Sequence, residues 1–160
     1  MMNRVAYFVT CIVDTIFPTI GEAAFDVLER VGVKLEFPQA QTCCGQPAFN
    51  SGFNQEARQV AEHFLDVFAG YEAIVTPSGS CAAMVRHYYP ELFRGHRREA
   101  EAQQIASRTY ELTQYLVDVL GVTDVGASLP RPVTPARPAP VAFRELPLGR
   151  GHLSATVALV

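Results

Sequence analysis

The chain has 160 residues, 49% of them hydrophobic and 18% charged, enough to bury a core without disulfide staples and unlike a disordered or collagen-like composition. A net charge of -3 leaves no basic footprint for nucleic acid or an anionic membrane surface. No run of eighteen apolar residues is present, so no membrane span is expected.

The opening "MMNRVAYFVTCIV" has the apolar character of a signal-peptide core. Asp14 interrupts it, however, and no small-residue cleavage site follows closely. It reads instead as a buried first strand over residues 4–10, ending directly at Cys11, and the chain is expected in the cytoplasm. A helix follows, with Pro18 suited to its first turn, Ile20, Ala23, Ala24, Val27, Leu28 and Val31 at helical spacing, and Gly32 as its stop. "VKLEF" (residues 33–37) alternates as a second strand before Pro38. The loop "AQTCCGQPAFNSG" comes next.

A second amphipathic helix is carried by Ala57, Val60, Ala61, Phe64, Leu65 and Phe68 and closed by Gly70. Ser51 or Asn54 could cap it. "EAIVT" (residues 72–76) is a third strand, and "PSGSCAAMVRHYY" turns through Ser78 and Gly79 into a helix with Cys81 near its start. A longer helix is expected over about residues 100–120, with Ile105, Leu112, Leu116, Val119 and Leu120 facing inward. Strand and helix alternate throughout, which predicts an α/β fold with a parallel sheet covered by helices on both faces.

Composition changes near residue 126. Residues 127–160 hold six of the eleven prolines, no cysteine and no aspartate, and carry +3 (four arginines, one glutamate), whereas residues 1–126 carry -6. A Pro/Arg-rich, irregular tail is expected there, with a packed final strand in "SATVALV" as the alternative.

Ligands of such sheets collect beyond the carboxyl ends of the strands, and Cys11, Cys43, Cys44 and Cys81 each follow a predicted strand. Adjacent cysteines bridge each other poorly, since consecutive Cα atoms lie about 3.8 Å apart and disulfides begin near 4.4 Å. Cys43 and Cys44 are better suited to bind one metal or cluster, with Gly45 letting the backbone fold closely around it. Cys81, at a helix start, is expected to have a lowered thiol pKa. Four readings follow for the set: cluster ligands, zinc ligands, redox-active thiols, or small buried hydrophobes.

The other candidates have plainer roles. His63 and His87 read as surface or satisfied histidines. Arg94, Arg97 and Arg98 among Glu91, Glu99 and Glu101 read as a solvated mixed-charge face, and Tyr88 and Tyr89 as packing residues. No GxGxxG, P-loop or Ser-His-Asp arrangement is found.

The order Cys11, Cys43-Cys44-Gly45, Cys81-x-x-Met84 resembles the CCG cysteine-rich domain found in heterodisulfide reductase and its relatives. The flanking "CIVDTIFPTIGEAAFDVLERVG", "TCCGQPAFNSG" and "TPSGSCAAMVRHYYPELF" are similar, more narrowly, to the iron-sulfur subunits of lactate and glycolate oxidation systems. The resemblance covers about residues 4–125. It implies one CCG repeat on residues 1–126 and a [4Fe-4S] cluster, or alternatively zinc, held by Cys11, Cys43, Cys44 and Cys81. It also implies an electron-transfer role in oxidising L-lactate to pyruvate, beside a ferredoxin-like iron-sulfur subunit and a further subunit. Met84 stands where the family motif has its last cysteine, a departure from the five-thiolate arrangement that leaves room for a four-thiolate [4Fe-4S] cluster, zinc or incomplete occupancy. Full-length proteins of this kind carry two CCG repeats, and the composition change suggests a frameshift or truncation in place of the second.

Overall fold

The computed structural model describes residues 4–126; the expected tail, 127–160, lies outside the described residues. The first strand, β1 (Val5–Tyr7), is entirely buried and leads into a short helix, α1 (Cys11–Ile16). Helix α2 (Pro18–Arg30) begins at its proline, as expected, and buries Gly21, Ala24 and Leu28. It is followed by β2 (Leu35–Glu36), a one-turn helix α3 (Gln46–Asn50) and α4 (Asn54–Phe68). The third strand is β3 (Ala73–Thr76). Helix α5 (Gly79–Ala83) runs through a π-helical turn at Met84–Tyr88 into α6 (Tyr89–Leu92). After it come α7 (Glu99–Ser107), β4 (Thr109–Glu111) and α8 (Leu112–Gln114), the last continued by a second π-helical turn at Tyr115–Val119.

All four strands are parallel, in the order β2-β1-β3-β4. Ala6 lies level with Glu36 on one side and with Ile74 on the other, and Val75 with Tyr110. The period of two along a strand divides the core into two layers. Ala6, Phe8 and Ile74 pack against Phe64, Leu65 and Phe68 of α4 and against Met84, Tyr89, Phe93 and Ile105. Val5, Tyr7, Ala73 and Val75 pack against Ala24 and Leu28 of α2 and against Tyr115 and Leu116. The sheet is therefore covered on both faces, giving the three-layer α/β fold expected of parallel strands joined by helices.

Connections leave β1 in opposite directions, first toward β2 and then, across β1, to β3. The strand order reverses between β1 and β3, the point where ligands bind in open α/β sheets. Cys11 follows one of these strands and Cys81 the other.

Three expectations are corrected. The single helix over residues 100–120 is broken by β4, because Thr109 and Tyr110, β-branched and aromatic, take up the open edge of β3, and Ile74 N–H donates to Arg108 O at 2.8 Å. As a result Ile105 and Leu116 serve opposite faces of the sheet, and Val119 is 48% exposed. Neither Ser51 nor Asn54 caps α4: Phe53 is at the cap with no side-chain bond, since Ser51 ends α3. Arg98 is not a solvated charge. Its side chain is 14% exposed; it joins the start of α7 to α4 through Glu62 O (3.2 Å) and Asp66 (2.6 Å) and pairs with Glu101 of α7 itself (2.7 Å).

Candidate metal or cluster site

Backbone and amide contacts fix the loops that carry the cysteines. Before Cys11 the chain passes through Thr10 at φ 71°, ψ 149°, a region almost reserved for glycine and a marker of strain held by its surroundings. Thr10 is buried, and its Oγ1 accepts the Val13 N–H at 3.5 Å, which caps α1 and sets Cys11 on its first turn.

The segment leading to Cys43 is tied to β1 by one side chain. Gln41 Nε2 donates to Tyr7 O at 3.1 Å, and Gln41 Oε1 accepts from Val9 N at 3.0 Å, so a primary amide stands in for a neighbouring strand. His63 Nε2 meets Ala40 O at 2.7 Å, which makes it a satisfied histidine holding the loop. His87 is exposed. At the other end Gly45 turns the chain at φ 84°, and a Cβ there would sit 3.1 Å from Ala57 O. Both facts demand glycine at this position of CCG. Tyr89, fully buried, donates its hydroxyl to Cys44 O at 2.9 Å. Burial and then the neighbouring cysteines raise its pKa well above the ordinary value, so it remains a neutral donor.

Cys81 follows β3 through "TPSGS". Ser78 caps α5 by accepting the Cys81 N–H at 3.4 Å, and Gln46 Nε2 reaches across to Ser80 O at 3.3 Å, linking the CCG loop to the Cys81 turn.

The four cysteines are free and line one cavity of about 200 Å³ together with Thr10, Gln46, Ser78 and Ser80. They form two pairs. Cys11 and Cys43 are half-buried, with Sγ atoms 3.5 Å apart, and Gly45 N–H donates to Cys43 Sγ at 3.4 Å. Burial, and next the bond to Cys43, raise the Cys11 pKa. Cys44 and Cys81 are 1% and 7% exposed. A hydrogen bond between their sulfurs raises the Cys44 pKa and lowers that of Cys81 to about 6, with the Ser78, Ser80 and Thr10 hydroxyls also favouring the Cys81 thiolate. The lowering at Cys81 has the expected direction, but its first cause is the bond to Cys44 rather than the start of α5.

Thiolate donors suit iron-sulfur clusters and zinc alike. Among the described residues, no three His, Cys, Asp or Glu side chains close around a common point tightly enough for a bare ion. The shared cavity, by contrast, is about 200 Å³, where a single water needs only about 10–15 Å³. Room and donor chemistry fit a metal or cluster held by cysteine thiolates. Met84 is fully buried in the core and is not part of the cavity lining.

Sequence reasoning missed Gln41, Gln46 and Thr10 as positioning residues and read Tyr89 only for packing. Gln41, two residues before CCG, and Gln46, directly after it, were the available signal.

The described residues define a cysteine-lined α/β domain, and the family model for the CCG cysteine-rich domain matches residues 5–86. The chain belongs to the CCG cysteine-rich domain family. It is similar to Lactate utilization protein A of Geobacillus kaustophilus (strain HTA426), 54% identical over 127 residues, covering 79% of this chain and 53% of that protein. Lactate utilization protein A of Geobacillus thermodenitrificans (strain NG80-2) is 52% identical, and Lactate utilization protein A 1 of Bacillus cereus (strain AH820) 53%, each over 128 residues with the same coverage. The chain spans about half the length of these curated relatives. No solved structure matches it.

Proposed function

We propose that Cys11, Cys43, Cys44 and Cys81 hold a [4Fe-4S] cluster and that the chain carries electrons in a cytoplasmic system oxidising L-lactate to pyruvate. A ferredoxin-like iron-sulfur subunit and one further subunit would complete the system. The observation that carries this reading is the single cavity shared by all four sulfurs, at the switch point of the sheet.

The cavity lining supports electron carriage over substrate chemistry. Its residues include no carboxylate, imidazole or cation, so nothing there would grip a hydroxy-acid carboxylate by charge or serve as the usual histidine or carboxylate base. A bound cluster supplies a one-electron store. The residues around it have defined tasks: the four thiolates attach it, Gln41 and Tyr89 hold the CCG loop in register, and the Gly45 amide donates to the Cys43 sulfur. Ile12, Val13 and Pro47 line the remainder and limit water. Lactate as the electron source is supported by the names of the relatives, and the absence of a described helix long and apolar enough to cross a membrane is compatible with a cytoplasmic place.

A second reading, a zinc-stabilised assembly module, draws on one distance. The Cys11–Cys43 Sγ separation of 3.5 Å is close to the ~3.8 Å expected between two thiolates on tetrahedral zinc with Zn–S bonds of about 2.3 Å. Iron, acid-labile sulfide and zinc measured per chain on anaerobically purified protein separate the two. Iron and sulfide in comparable amounts, lost in Cys43→Ser, are expected. Stoichiometric zinc without sulfide would replace the cluster reading with the structural one.

A further inference from the structure

A neighbouring cavity shares Thr10, Cys11 and Cys43 with the cysteine cavity. This second cavity, about 320 Å³, is lined by Cys11 and Cys43 with Thr10, Asp14, Gln41 and Thr42 among others, and by neither Cys44 nor Cys81. Two of the four sulfurs are therefore open to a solute approaching from solvent, while Cys44 and Cys81 are buried behind them. The two open sulfurs lie 3.5 Å apart, on segments 32 positions apart in the chain.

We propose that Cys11 and Cys43 form a disulfide with each other when the cavity holds no metal group, through exchange with a small disulfide that enters the outer cavity. The proposal rests on the ligand reading above only in naming what the bond displaces. A disulfide needs its sulfurs at about 2.05 Å, so the pair closes by about 1.5 Å, a side-chain adjustment. Cys43 has no comparable route to Cys44, since adjacent cysteines bridge only with strain.

The exchange balances without further reagents. The Cys43 sulfur, after its proton passes to solvent, attacks one sulfur of oxidised glutathione, forming a mixed disulfide and releasing one glutathione thiolate. The Cys11 sulfur, having given up its proton to solvent, attacks the Cys43 sulfur and expels the second glutathione. Two cysteine thiols are oxidised by two electrons and one glutathione disulfide is reduced to two thiols. The product withdraws two of the four candidate ligands, so the cavity can be loaded only after reduction.

The test uses the full chain, stripped with a chelator under thiol reductant, freed of both, and incubated with oxidised glutathione. Remaining thiols are then alkylated, and tandem mass spectrometry of the digest locates each bond. The expected result is a loss of two hydrogens, a link between Cys11 and Cys43, and alkylated Cys44 and Cys81; Cys43→Ser should instead carry glutathione on Cys11 and no internal link. Any bond involving Cys44 or Cys81, or four alkylated cysteines in the wild type, would overturn the proposal. Because the starting chain is metal-free, the result is independent of whether purified protein contains iron, zinc or neither.

Discussion

Cys44 and Cys81 belong to the core. One is anchored through its carbonyl to Tyr89, the other through its amide to Ser78, and both pack with Phe8, Phe64 and Met84 in one cluster. Cys11 and Cys43 face a second, solvent-connected cavity and are held by a strained threonine and a glutamine amide. The difference teaches how one cavity can be both rigid and reachable: two of its cysteines are shared with the hydrophobic core, and the other two line its outer side.

The comparison breaks most visibly at Tyr89. Tyr89→Ala removes a fully buried ring that lies edge-on to Phe64 at 5.5 Å, and urea unfolding should show a loss of about 3–5 kcal/mol. Tyr89→Phe keeps the ring but deprives Cys44 O of its donor, with an expected loss of about 1–3 kcal/mol. Gly45→Ala forces an L side chain to φ 84° against Ala57 O and should cost at least about 1–2 kcal/mol in the same assay.

The pH dependence sharpens the contrast within the inner pair. Cys81, with its folded pKa lowered to about 6, contributes stability that is complete above its unfolded pKa of about 8.5 and is lost as pH falls toward 6. Cys44, raised by its bond to Cys81 and by burial, contributes stability that is complete below the ordinary thiol pKa and lost as pH rises above it. The thiol contribution in the metal-free chain should therefore be greatest near pH 8.5–9, and Cys81→Ser should flatten the acid side. Thermal unfolding across this range checks it. The smallest effect belongs to the outer pair: Cys11→Ser, at a half-buried position, should change the stability of the metal-free chain by no more than about 0.5 kcal/mol, while reducing metal uptake.

The positions of the four cysteines were legible because prolines and glycines punctuate the sequence. Pro18 starts α2, Gly32 follows it at φ 90°, and Pro38 and Pro77 each follow a strand, so each cysteine could be placed after a strand. The fourth strand was hidden by a coincidence of spacing, since Ile105, Leu112 and Leu116 fall at helical intervals although a strand separates the first from the others. Only the local cluster Thr109-Tyr110 after Arg108 signals the break. Long-range tethers such as Arg98 to Asp66 and Gln41 to β1 depend on tertiary placement, which periodicity does not encode.

The most direct test of electron carriage is the EPR spectrum of the anaerobically purified chain, recorded as isolated, after reduction with dithionite and after reoxidation. A cluster on the four cysteines predicts a signal that switches reversibly with one electron and is absent from Cys44→Ser and Cys81→Ser. A chain with full metal occupancy that stays silent throughout would contradict it and make the site a structural one.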